Sequence, residues 1–200
     1  MAMTEDAGGR DIVDLLIEDH HRIEQLFVEL ETGTGTPERR RDLASVMIAE
    51  LIRHAVAEEQ YVYPTAREVL PDGDHKAEHE IEEHAEAERT LNELDGLDPA
   101  NPHFDVLLTR LTGTIRHHVA DEESDLFPRL RAGCTAEELV DLGRKVEQAK
   151  KLAPTRPHPA APDHAPLNKL LGPGTGLVDR MRDAVTGRPT SVADLSERAR

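Results

Sequence analysis

Apolar residues return along the chain at intervals of three and four, the period of helices that bury one face. Ile12, Leu16, Ile23, Phe27 and Leu30 mark the first stripe, from about Asp11 to Glu31. Gly33-Thr34-Gly35 ends it, and Thr36-Pro37 restarts the chain as an N-cap followed by proline at the first helical position. A second stripe runs through Leu43, Met47 and Leu51 toward Pro64. The missing N–H there predicts a kink or an end, with a short continuation to Leu70 before the turn Pro71-Asp72-Gly73. The third helix is expected from about Asp74 to Leu94. Asp98-Pro99 and Asn101-Pro102 punctuate the next loop; Asn101 caps a fourth helix that carries Leu108, Leu111 and Ile115 toward Pro128. Thr135-Ala136-Glu137-Glu138 is a capping box, so a fifth helix is expected over Thr135 to Leu152. The pattern is all-α.

Each of the first four stripes is interrupted by a histidine and a glutamate four residues apart. The pairs are His20/Glu24, His54/Glu58, His84/Glu88 and His118/Glu122. His54-x3-Glu58-Glu59 leads to Pro64 just as His118-x3-Glu122-Glu123 leads to Pro128, an offset of 64 residues. The same offset carries His20 onto His84, Glu24 onto Glu88 and Ile17 onto Ile81. The chain therefore contains a duplicated helical hairpin with a chemical signature. Residues four apart share a helix face, so each pair can reach one metal or two adjacent metals. Burying so many ionisable groups on apolar stripes without partners would cost several kcal/mol, and a shared metal cluster removes that cost. Glu59 and Glu123 point about 100° further round and are read as solvated or as supports for the ligands. His21, His75, His79, His103, His117, His158 and His164 lie off the stripes and are read as surface residues.

Composition narrows the picture. Aromatics make up 2% of the chain and Trp is absent, so the core must be aliphatic. The net charge of −16 argues against a nucleic-acid surface. The single cysteine, Cys134, permits neither an intrachain disulfide nor a thiolate metal site. The polar N-terminal residues hold no apolar signal segment and no stretch is long enough to span a bilayer, so a cytoplasmic protein without a membrane partner is expected. Residues 153–200 hold seven of the thirteen prolines, with seven Lys/Arg against five Asp/Glu. This is read as an extended tail, with a short helix near Leu177 to Val185, that either docks on the acidic bundle or stays mobile.

The order His, His-x3-Glu, His, His-x3-Glu resembles that of the hemerythrin-like (HHE cation-binding) family over about residues 11–131. The resemblance rests on Asp19-His20, His54-x3-Glu58 before Tyr63-Pro64, Glu83-His84, and His118-x3-Glu122 before Phe127-Pro128. It implies an up-down-up-down four-helix bundle holding two iron ions (Fe2+/Fe3+) with a bridging oxo or hydroxo. His20, His54, His84 and His118 would be terminal ligands, with Glu58 and Glu122 as bridges. Imidazole with carboxylate suits iron, and bundle cores are a known home for such sites.

The chain departs from oxygen-carrying hemerythrins, which have His-x3-His in helix three and His-x4-Asp in helix four. One imidazole is missing, and Glu24, Glu88 and Tyr61 are the candidates for an additional ligand or a support. The resemblance implies a non-haem di-iron protein that binds or reacts with O2, peroxide or NO, as in oxidative or nitrosative stress. A peroxide-consuming (catalase-like) activity is one form of this. The alternative is a reversible O2- or NO-binding or redox-sensing module without turnover. No catalytic residue follows from the pattern, and neither monomer nor dimer is favoured.

Overall fold

The computed structural model describes residues 9–158 and 173–198; His164 lies outside them. Among the described residues there is no strand. Helices α1 (Ile12–Glu31) and α2 (Pro37–Ala57) form one hairpin, and α4 (Gly73–Leu94) and α5 (Pro102–Asp121) form the other. Side-chain caps set three of their starts, two of them expected, at Thr36 and Asn101; α4 starts after Asp72 without one. Asp11 accepts from the Asp14 N–H at 2.8 Å, Thr36 from Arg39 at 3.2 Å, and Asn101 from His103 at 3.0 Å. Each such cap stabilises its helix by about 1 kcal/mol.

Helix two neither ends nor breaks at Pro64. Instead α2 passes through a π-helical turn, Glu58–Val62, into α3 (Tyr63–Val69), with Pro64 in the first turn of α3. The second hairpin repeats this: α5 passes through the turn Glu122–Leu126 into α6 (Phe127–Gly133), with Pro128 in its first turn. Tyr63 N–H reaches back to Glu58 O, and Phe127 N–H to Glu122 O, one residue further than in an α-helix. The wider turn lets hydrogen bonding continue past a residue that has no N–H to donate.

The apolar stripes form two separate clusters. One gathers Phe27, Met47, Leu91, Phe104 and Leu111; the other gathers Ile12, Leu16, Val62, Tyr63, Phe127 and Leu130. In each hairpin the His/Glu layer falls between the two. Each fully buried Leu or Phe contributes about 1.5–3 kcal/mol, and these clusters clamp the polar layer from both sides.

The expected capping box opens α7 (Ala136–Leu152), which packs on α1 and α2. Gly143 is required there, because a Cβ would lie 2.3 Å from the Arg10 carbonyl oxygen. The tail docks where it is described. Helix α8 (Pro173–Thr186) presses Gly176 against the end of α7, where a Cβ would lie 2.1 Å from Leu152 O. Buried Thr155 bonds Asp183 and, through its N–H, Asp179 at 3.2 Å. Arg156 and Arg188 join Asp183 to Asp95 at the end of α4. Helix α9 (Val192–Arg198) returns to α2, burying Leu195 and pairing Arg198 with Asp42 at 2.7 Å.

Candidate metal centre

Four helices each deliver one imidazole to the polar layer, and the two π-helical turns each begin with the carboxylate that joins them. His20, His54, His84, His118, Glu58 and Glu122 are all buried, the two glutamates completely. The imidazoles meet in pairs. His20 Nε2 lies 3.1 Å from His54 Nε2, and His84 Nε2 lies 3.2 Å from His118 Nε2. Two ring nitrogens this close need a proton or a cation between them.

The carboxylates span the pairs. Glu58 Oε1 is 3.1 Å from His54 Nε2, while its Oε2 is 3.3 Å from His84 Nε2. Glu122 Oε2 stands 3.4 Å from His20 Nε2 and 3.6 Å from His118 Nε2. Both oxygens of Glu58 and Oε2 of Glu122 are buried without a well-formed hydrogen bond despite these short approaches. Buried oxygens rarely go unsatisfied, and their chemistry fits a cation. Three groups of donors, His20/His54/Glu58/Glu122, Glu58/His84/His118 and Glu80/His118/Glu122, each lie within 4.8 Å and could hold a metal ion; the first two share Glu58.

The outward ring nitrogens are held just as regularly. His20 Nδ1 meets Glu123 at 2.8 Å and His84 Nδ1 meets Glu59 at 3.2 Å. His54 Nδ1 meets Asp19 at 3.5 Å, and His118 Nδ1 meets Glu83 at 2.9 Å. A carboxylate on Nδ1 fixes the ring and its tautomer and leaves Nε2 free to ligate. Glu59 and Glu123 thus support ligands, one of the two roles expected for them. Asp19 and Glu83 support them too, although spacing assigned them no role. Their signal was available, since Asp19 maps onto Glu83 by the same 64 residues and each precedes a ligand candidate.

Electrostatics report the same demand for positive charge. Burial opposes the charge on His54, yet Glu58 and Asp19 push its pKa up to about 10. His84 rises to about 9 against burial through Glu58 and Glu59. His118 is raised well above its ordinary value, with Glu122, Glu80 and Glu83 outweighing burial. Glu58 falls well below the carboxylate range, as His54 and His84 overcome its burial. Glu122 is raised by burial and then by the charge on Glu58.

Tyr61 does not join this group. It is partly buried, and its carbonyl accepts from Thr65 at 2.6 Å. The π-helical turn inserts one residue after Glu58, and so turns the following residues by about 100°. Tyr63 takes the inward place instead. Its hydroxyl lies 3.0 Å from His84 Nε2 and donates to Glu122 Oε1 at 3.4 Å. Burial, then Glu58 and Glu122, push its pKa well up. Glu24 lies outside as well, half-exposed and held by Arg116 at 2.7 Å. Glu88 is half-buried and accepts from the His158 N–H at 3.3 Å; burial raises its pKa. His158 itself is not simply a surface residue, since its Nε2 bonds Asp179 at 2.9 Å. His21, His75, His79, His103 and His117 are exposed, as expected.

On the imidazole side a cavity of about 30 Å³ opens beside all four rings. Ile23, Leu51, Ile52, Ala87, Leu91 and Ile115 give it an apolar wall, and Glu88 contributes its half-buried carboxyl. No described helix is long and apolar enough to cross a membrane.

Comparison with known proteins agrees with this geometry. Residues 11–130 match the family model described as hemerythrin HHE cation binding domain. The chain is 26% identical to an uncharacterised hemerythrin-like protein of Schizosaccharomyces pombe, over 89% of this chain and 88% of that one. It is 28% identical to a protein named DNA nickase from Nostoc, over 74% of this chain but only 42% of that relative's length. A solved hemerythrin HHE cation binding domain-containing protein from Mycobacterium kansasii superposes with a TM-score of 0.61 at 22% identity. It covers 71% of this chain and 88% of that one.

Proposed function

This chain belongs to the hemerythrin HHE cation-binding domain family, and from that premise we propose that it holds two iron ions and reacts with peroxide, O2 or NO. The observation that carries the reading is the pair of buried carboxylates, each facing one imidazole from either pair. His20 and His54 would hold one iron and His84 and His118 the other, with Glu58 and Glu122 between them and an oxo or hydroxo completing the bridge. When bound, the irons supply Lewis-acid and redox chemistry.

The chain's own residues do the rest. Glu123, Asp19, Glu59 and Glu83 orient the imidazoles. The apolar wall disfavours charged species, and the cavity has room for a small uncharged molecule, for which peroxide, O2 and NO all qualify. Tyr63 places an oxygen beside His84, among the donors of the second pair. This richer oxygen set favours consumption of a reactive oxygen or nitrogen species over reversible carriage. We place the protein in oxidative or nitrosative defence on that ground. Iron analysis tests the reading first: two irons per chain are expected, and less than one per two chains would defeat it. Sustained O2 release from peroxide, lost in His54→Ala and Glu122→Ala, would establish turnover. A stable oxygenated spectrum with no turnover would replace it with gas binding.

A further inference from the structure

The two halves of the centre are related by the 64-residue offset, but some of the residues around them break it. His54 and His118 are repeat mates. His118 Nδ1 bonds Glu83 at 2.9 Å and has a second carboxylate, Glu80, at 2.9 Å as an ion-pair contact without a well-formed hydrogen bond. Lys76 bridges from Glu80, at 3.1 Å, to Asp125, at 3.5 Å. His54 Nδ1 meets Asp19 alone among the described residues, at 3.5 Å, and that carboxylate is shared with Lys150 and with Arg22 at 3.0 Å. The difference lies in the sequence. Where the second hairpin has Lys76 and Glu80, the first has Ile12 and Leu16, all four packed against the bundle. Beyond the π-helical turns the contrast repeats. Tyr63 brings its hydroxyl to His84, whereas its mate Phe127 stacks its ring on His20 at 5.6 Å and offers no oxygen.

We infer that the two metal positions are unequal, and that the His84/His118 position binds its iron first and more tightly, because Glu80 and Tyr63 reinforce it alone. The inference rests on the two-iron reading above. Carboxylates on Nδ1 make an imidazole a better donor. Two carboxylates with one ammonium do this better than one carboxylate already neutralised by an ammonium and a guanidinium. A completely buried carboxylate also acts on a dication through a medium that screens little. The phenolic oxygen adds a further donor to the same position. Glu80 is thus a positioning residue, acting through His118.

The test is a titration of the full-length, iron-depleted protein with 57Fe(II) under anaerobic conditions, read by Mössbauer spectroscopy. The first equivalent is expected to give one quadrupole doublet and the second a different one. His20→Ala should retain the first doublet, and His118→Ala should lose it. Glu80→Leu, which installs the first hairpin's residue, should weaken the first step by about 10- to 100-fold and leave the second unchanged. Should His118→Ala fail to fold, Glu80→Gln keeps the side-chain shape and should weaken the first step in the same direction. Two doublets growing together from the first addition would overturn the inference. So would a first step indifferent to both Glu80 substitutions. Protein that takes up no iron at all would instead overturn the two-iron reading beneath it.

Discussion

The first and second hairpins each present three inward donors, matched by the same 64-residue spacing, yet they are stabilised from outside by different means. The first hairpin is covered by α7, whose Lys150 reaches in to Asp19. The second carries its own charged support in Lys76 and Glu80. Duplication fixed the donors, while what packs outside each half decided how each imidazole is held. Residues that obey the repeat thus report shared chemistry, and residues that break it report where the halves differ.

The largest effect should come from the shared carboxylates. Glu58→Ala or Glu122→Ala is expected to abolish binding of both irons, whereas His20→Ala should cost only one. Iron content per chain, measured beside the helical circular dichroism signal, checks this. Equal losses from a shared carboxylate and a single imidazole would break the division into two halves. Next is the removal of metal from the intact protein. Because binding stabilises only the folded chain, chelation should lower the melting temperature and restored iron should raise it. An unchanged melting curve would contradict a metal shared by both hairpins.

A smaller contrast compares mates. Asp19→Asn should weaken retention of the iron at His20/His54 by about 10-fold or more, since among the described residues His54 has no second carboxylate on Nδ1. Glu83→Gln should cost less, because Glu80 stays on His118. Iron dissociation rates into a chelator would reveal the difference, and identical rates would contradict the contrast.

The smallest effect concerns the docked tail. His158 is raised above 6.5, chiefly by its bond to Asp179 and against burial. Its folded pKa exceeds its unfolded one, so its contribution is fully present below about pH 6.5 and is lost as pH rises through the higher folded value. Asp179 is lowered from 3.8: burial opposes, but His158 prevails. Its contribution is present above about pH 4 and is lost as pH falls through the lower folded value. Hydrogen-exchange protection of α8 should therefore be greatest between about pH 4 and 6.5. It should decline modestly as pH rises above about 6.5, and His158→Ala should flatten that decline. Protection that rises with pH after correction for intrinsic exchange would oppose this account.

Much of the fold was legible because caps and periodic stripes act locally. Thr36, Asn101 and Thr135 all cap where their side-chain chemistry places them. The inward positions of His20, His54, His84, His118, Glu58 and Glu122 follow from stripe and spacing together. What spacing missed came from two causes. A π-helical turn moves the place one turn beyond Glu58 from the fourth following residue to the fifth, Tyr63, whereas counting by three and four pointed to Tyr61. The outer carboxylates were missed because their partners lie on other helices: Asp19 serves His54 on α2, and Glu83 serves His118 on α5. Docking of the tail depends on long-range pairs such as Arg188 with Asp95, which no local pattern contains.

The account stands on two metals held between the hairpins. Anomalous scattering from crystals of iron-loaded protein, collected at the iron edge, tests this directly. Two peaks are predicted, one against His20 and His54 and one against His84 and His118, with Glu58 and Glu122 between them. A single peak, or iron bound elsewhere on the molecule, would contradict it.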